Sequence, residues 1–187
     1  MLLMPSLAVA QDFDIGFSAA QAGDFATAIL EWKPLAERGD VRAQYELGTM
    51  YRYGWALPQD YAEAVRWYRL AAEQGSVEAQ RTLGALSKLG EGVPQNYAEA
   101  ARWYRLAAEQ GNVVAQSNLG NMYRFGEGVP QDYVAAHMWF NIMAANFSQG
   151  DAAERRDEVA ALMTPSGIME AQRRARACIE SGYQDCD

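Results

Sequence analysis

The sequence predicts an all-α fold, an α-solenoid built from stacked helix–turn–helix units. Three observations predict it. Residues 61–75 read YAEAVRWYRLAAEQG and residues 97–111 read YAEAARWYRLAAEQG, the same at fourteen of fifteen positions and 36 residues apart. Over the full period, 61–96 and 97–132 agree at 25 of 36 positions without a gap, and weaker copies start at 25 and 133. Within each copy the apolar residues fall at i, i+4 and i+7, as in Ala43, Leu47 and Met50, or Ala115, Leu119 and Met122. The first two observations mark a repeat architecture, and the third makes its elements helices rather than strands. Stacked units of this kind bury their apolar faces on one another.

Taken in order, residues 1–10 are apolar and end in Ala8-Val9-Ala10, an A-x-A cleavage pattern that would leave Gln11 as the first mature residue. The first basic residue is Lys33, so the segment reads as a truncated signal peptide remnant and the mature protein as periplasmic or secreted, with a cytoplasmic location as the runner-up. The solenoid is expected over 11–181, opening with a capping hairpin at 12–38 in which Pro34 should bend or end the second helix. Repeat registers then start at Phe25, Tyr61, Tyr97 and Tyr133.

The helix from Tyr61 follows Asp60 with Glu63 three residues on, and Asn96 with Glu99 repeats the arrangement, which resembles a capping box. It stops at Gly75, and its copy stops at Gly111. Asp40, Ser76 and Asn112 cap a second helix, which ends at Gly54, Gly90 or Gly126 before a proline-containing loop. Gly48, Gly84 and Gly120 sit inside that second helix, where glycine costs about 1 kcal/mol, so their recurrence points to close helix packing. Trp67, Tyr68, Trp103, Tyr104, Trp139 and Phe140 follow the same period and are expected to fill space between units. Thr164-Pro165 starts a closing helix at about 165–181. The tail 182–187 ends the chain, and Cys178 and Cys186, eight apart around a Ser-Gly turn, can close a disulfide in an oxidising compartment.

The pattern A-x-x-x-L-G-x-x-Y-x-x-G, a V-P-x-[DN] loop and A-x-x-W-Y-x-x-A-A-x-x-G runs nearly throughout 61–132. In this it resembles the Sel1-like repeat family, which is related to the tetratricopeptide repeats, over roughly residues 25–165. The sequence departs from the pattern at Ser87, at Trp55-Ala56 in place of Glu-Gly, and at position 147, where the helix-ending glycine is absent. The tail MTPSGIMEAQRRARACI resembles the closing helix of exported bacterial members. The resemblance implies a right-handed superhelix that serves as a protein–protein interaction scaffold, with the helices at 41–53, 77–89 and 113–125 lining the concave surface. Some cysteine-rich relatives bind or hydrolyse β-lactams, but their cysteine-paired repeats are missing here.

Of the eleven differences between the central copies, nine fall in residues 76–89. Some are packing exchanges, such as Leu86 for Met122, Ser87 for Tyr123 and Leu89 for Phe125. Others lie opposite the apolar stripe: Glu78/Val114, Arg81/Ser117, Thr82/Asn118 and Ala85/Asn121. Arg52, Lys88 and Arg124 recur at the repeat period. They are either cations favoured near a helix C-terminus or a basic strip for an acidic segment of a partner. The expected partner-binding groove therefore comprises Tyr45, Thr49, Arg52, Arg81, Lys88, Ser117, Asn121 and Arg124.

A net charge of −8 argues against general nucleic-acid binding. No run reaches the roughly 18–20 apolar residues of a membrane-spanning helix, so no membrane insertion is expected. No Walker, Rossmann, G-x-S-x-G, S-x-x-K or H-E-x-x-H pattern is present. The single histidine, His137, stands where the other copies carry Val65 and Ala101, and reads as a surface or packing substitution. The sequence thus predicts a monomeric, non-catalytic adaptor for a protein or peptide, without metal or cofactor. A cell-envelope hydrolase or β-lactam-binding protein is the runner-up.

Overall fold

A computed structural model describes residues 12–146 and 151–186. The expectations for residues 1–10 and for position 147 lie outside them. Ten α-helices, and no strand, are found among the described residues. The chain divides into two compact units, Met1–Gln74 and Gly75–Asp187. The first holds α1 (Phe13–Gln21), α2 (Phe25–Glu37), α3 (Val41–Tyr53) and α4 (Tyr61–Glu73). The second holds α5 (Val77–Leu89), α6 (Tyr97–Ala108), α7 (Val113–Phe125), α8 (Tyr133–Asn146), α9 (Ala152–Ala160) and α10 (Pro165–Glu180).

The caps set the helix boundaries. Asp40, Ser76 and Asn112 accept hydrogen bonds from the amides of Ala43, Ala79 and Ala115 at 2.9, 3.3 and 2.9 Å. The same three helices end at Gly54, Gly90 and Gly126, whose φ values of 70, 77 and 70° are the left-handed stop that glycine adopts without strain. Asp60 and Asn96 cap α4 and α6 as expected, each accepting from the residue-N3 amide at 3.0 Å. The reciprocal arm of the capping box is absent at Asp60. Its own amide donates to the Tyr51 carbonyl at 2.9 Å, and the Glu63 carboxylate turns to Arg66 instead. The amide of Asn96 goes likewise to Ser87, and that of Asp132 to Tyr123. The cap residue therefore also anchors each helix to the one before it.

Pro34 does not end α2 early: it sits in the last turn, and the helix runs on to Glu37. The only partner it removes is for the carbonyl of Leu30, a residue 73% exposed. Trp32, Leu47 and Met50 are buried in the core of the first unit, and Tyr104, Leu119, Met122, Trp139 and Ile142 in that of the second.

The glycines inside α3, α5 and α7 answer the packing expectation directly. A Cβ built on Gly48 would lie 2.8 Å from the ring of Tyr68, one on Gly84 2.7 Å from Tyr104, and one on Gly120 2.8 Å from Phe140. Each ring thus lies on a bare stretch of backbone of the preceding helix, so Tyr68, Tyr104 and Phe140 each join one repeat register to the one before it, as their period suggested. His137 is a packing residue, 2% exposed. At the C-terminus, Thr164 caps α10 through the Gly167 amide at 3.2 Å, and Cys178 and Cys186 are joined in a disulfide with their Cα atoms 4.5 Å apart.

Candidate partner-binding site

In the first unit, α3 carries Tyr45, Thr49 and Arg52, all half-buried. Tyr45 packs at a tilt against Tyr68, with ring centroids 5.5 Å apart. The hydroxyls of Thr49 and Tyr68 are 3.1 Å apart, and the Thr49 hydroxyl also donates to the Tyr45 carbonyl at 3.1 Å. Burial pushes the Tyr68 phenol up to about 12, so it serves as a neutral hydrogen-bonding group. Arg52 lies in the last turn of α3, its guanidinium 5.4 Å from the Tyr53 ring centroid.

In the second unit, Arg81 on α5 and Ser117 and Asn121 on α7 are half-buried and reach solvent. Arg81 makes a long 3.5 Å contact to the Thr82 hydroxyl. Lys88 and Arg124 behave differently. Lys88 pairs with Glu127 at 3.0 Å, and Arg124 with Glu158 at 2.6 Å. Each is half of an internal ion pair, so neither presents an uncompensated charge. Thr82 is also not on the outer face: it is buried at 2% exposure, and its helix is covered more widely than the apolar stripe alone implied.

The first loop shows the logic of these pairs. Lys88 meets an acid 39 residues further on. Counting 39 back from Trp55 gives 55 − 39 = 16, which is Gly16, buried against Trp32. No cation is available there, and Trp55 instead stacks on Phe25 and Tyr53 at 4.9 Å each. Its neighbour Ala56 takes φ 57°, the left-handed conformation that the other loops give to Gly92 and Gly128.

Glutamine does much of the positioning and was not singled out by the pattern. The amides of Gln59, Gln95 and Gln131 donate to the carbonyls of Arg52, Lys88 and Arg124 at 2.8, 2.9 and 2.8 Å. Each also reaches the hydroxyl of the tyrosine two residues on. Buried Gln44 and Gln116 donate to the carbonyls of Ala36 and Ala108 at 3.1 and 3.2 Å. Gln44 and Gln80 accept from Gln74 and Gln110, thirty residues on, at 2.8 and 2.7 Å. At the next such position Asn146, one methylene shorter, bonds Tyr183 instead, and the buried Oε1 of Gln116 has no partner. The signal was present: Ala-Gln recurs at 43–44, 79–80 and 115–116.

No group of three or more His, Cys, Asp or Glu side chains that could hold a metal occurs among the described residues. None of the described helices is long and apolar enough to cross a membrane. Burial, then the Arg156 charge, lowers the His137 pKa and keeps the imidazole neutral inside the packing.

Periodic helix pairs, each locked by a glycine–ring contact and presenting one variable helix, define a tandem helical-repeat protein of the α-solenoid class. A Sel1 repeat family model matches residues 41–76, 77–112 and 113–146, and the chain belongs to the Sel1 repeat family. Each matched unit begins with the variable helix. The chain is similar to c5321, a protective antigen of uropathogenic Escherichia coli strains with an SLR fold, at 30% identity and a TM-score of 0.75; the match covers 96% of this chain and 44% of the antigen. It is also similar to a Sel1 repeat protein from Oxalobacter formigenes, at 39% identity and a TM-score of 0.64, covering 70% and 97% of the two chains. No curated protein matches the chain. Sel1 repeat proteins generally act as protein-interaction scaffolds, and the fold is typically non-catalytic.

Proposed function

We propose that the protein is a non-catalytic adaptor of the cell envelope that binds a peptide or protein partner on the variable helices α3, α5 and α7. The observation that carries this reading is where two near-identical copies diverge. Nine of their eleven differences fall in 76–89, while the neighbouring helix and loop are almost unchanged. Drift without selection would touch both helices of a pair. Tyr45 and Thr49 in the first unit, and Arg81, Ser117 and Asn121 in the second, are the partner contacts. Arg52, Lys88 and Arg124 sit in the last turns of the same helices, and the ion pairs of Lys88 and Arg124 hold α5 and α7 within the second unit. Packed helices display these side chains rigidly, so little ordering entropy is lost on association. A hydrolytic reading has less support, since the single imidazole is buried in packing. The disulfide and the exported-type tail favour an oxidising compartment.

The test is crosslinked capture from cell-envelope extract, comparing wild type with an Arg81→Glu, Ser117→Arg, Asn121→Arg variant that leaves both ion pairs untouched. A protein captured by wild type and lost in the variant, with unchanged circular dichroism, supports the reading. Equal capture by both sinks the assignment to α5 and α7.

A further inference from the structure

We propose that a cavity in the second unit, walled by α6, α7, α8 and α10, is a carboxylate-accepting pocket. It deepens the adaptor reading by naming the chemistry through which a bound partner would be read. The carboxylate belongs either to an acidic side chain or to a chain end.

The cavity measures about 160 Å³, the volume of about five water molecules at ~30 Å³ each. Arg105 and Arg174 line it from different helices, together with the Tyr123 hydroxyl. Arg105 lies four residues before Glu109, but it does not pair with it. Its Nη2 donates to the Tyr123 hydroxyl, and among the described residues no carboxylate pairs with it. Having accepted that bond, the tyrosine keeps its own O–H to donate. Glu170 is shared, taking Arg173 at 2.7 Å and Arg174 at 2.8 Å. Asp132 also lines the cavity, but its Oδ1 is held by the amides of Val134 and Ala135 at 2.8 and 3.0 Å. The cavity's own lining thus holds two guanidinium groups and one carboxylate, on a chain whose net charge is −8.

The cavity exists because this repeat departs from its predecessors. Where α8 has Ala135 and Met138, α4 has Glu63 and Arg66 and α6 has Glu99 and Arg102. In α4 those two form a fork at 2.6–3.0 Å that occupies the register with its own charge pair. Shortening both positions empties it. Tyr123 keeps the tyrosine that Tyr51 also carries and Ser87 lacks, which brings a hydroxyl to the opening. Met138 and Trp139 form an apolar wall, and Cys186, tied by its disulfide, closes one side. A planar guanidinium with an adjacent O–H donor matches a carboxylate, and an apolar wall strengthens the attraction by excluding water.

The experiment follows the arginine Nε–Hε signals of the full chain by NMR. Three probes are titrated: N-acetyl-aspartate α-N-methylamide, with only a side-chain carboxylate; N-acetyl-alanine, with only a chain-end carboxylate; and inorganic phosphate. The expected result is a saturable shift at Arg105 with at least one carboxylate. Arg105→Gln should weaken it at least tenfold, Tyr123→Phe about threefold, and Arg176→Gln should leave it unchanged. If Arg105→Gln fails to fold, Arg105→Lys and Tyr123→Phe carry the test, since both preserve bulk. The two carboxylates, compared, give the source. Non-saturating shifts, shifts unaltered by the Arg105 and Tyr123 variants, or tighter binding of phosphate than of either carboxylate would overturn the proposal. No partner is present in this assay. Saturable carboxylate binding with equal capture in the extract experiment therefore sinks the groove assignment alone, and variant-sensitive capture without carboxylate binding sinks the pocket alone.

Discussion

Gly84→Ala tests the contact that sets the spacing of α5 and α6. On an exposed helix the change would stabilise, since alanine is favoured over glycine by about 1 kcal/mol. Here the new Cβ would sit 2.7 Å from Cδ1 and Cε1 of Tyr104, whereas ordinary contacts begin at 3.4 Å, a deficit of 3.4 − 2.7 = 0.7 Å. Tyr104 is only 3% exposed, so its ring has no open space to swing into. The two helices must part, and close-packed interiors respond to such overpacking with a loss of about 1–3 kcal/mol. Combining the two effects, the variant should be less stable by up to about 2 kcal/mol. For a chain of this size that lowers the thermal midpoint by up to roughly 8 °C. Urea and thermal denaturation followed by circular dichroism at 222 nm measure it, with midpoints compared directly because repeat arrays depart from two-state behaviour. In a Tyr104→Leu background the ring is gone, and the same glycine change should be neutral or stabilising. A Gly84→Ala protein that is more stable than wild type in the unaltered background would refute the ring-on-backbone account.

Three further outcomes follow from other contacts. Asn146→Gln restores the reach of its counterparts Gln74 and Gln110 and gives the buried Gln116 oxygen a donor; a gain of about 0.5–1 kcal/mol is expected in urea denaturation, set against loss of an exposed bond to Tyr183. Reducing the Cys178–Cys186 bridge should cost about 2–3 kcal/mol, and the Cys178→Ser, Cys186→Ser protein should no longer respond to reductant. His137 is held neutral by burial, so its folded pKa lies below the unfolded 6.5. Its contribution is complete above pH 6.5 and is lost as pH falls below that value, because the unfolded chain takes up the proton first. The denaturation midpoint should therefore fall between pH 7 and pH 5, and His137→Val, the residue of the equivalent position 65, should flatten that slope.

Most of the architecture was legible because the repeat writes its caps, stops and packing glycines in the same places each time. Asp40, Ser76 and Asn112 were readable as caps, and Gly54, Gly90 and Gly126 as stops, from residue type and spacing alone. What periodicity could not give was the direction of a side chain. Lys88 and Arg124 repeat as a pair of cations, but their partners Glu127 and Glu158 are 39 and 34 residues away, outside any helical spacing rule. Arg105 stands four residues before an acid and points elsewhere. The Tyr123 cavity was hidden for another reason: it arises from what Ala135 and Met138 omit, and a missing charge pair is visible only beside the copies that keep it. Pro34 misled because its effect depends on the position within the helix, and in the last turn the lost bond falls on a solvent-facing carbonyl.

The glycine–ring contacts also bear on how such a chain can change its length. An α-helix turns about 100° per residue, at 3.6 residues per turn. Inserting one residue ahead of Gly84 would rotate a Cβ-bearing neighbour to face Tyr104, and the bridge between Gln80 and Gln110 would lose its register. Inserting 36 residues would return glycine, ring, glutamine and cap to register at once. Viable descendants of this gene should therefore differ by whole modules, with single-residue insertions confined to the segment after α8, where the period has already ended.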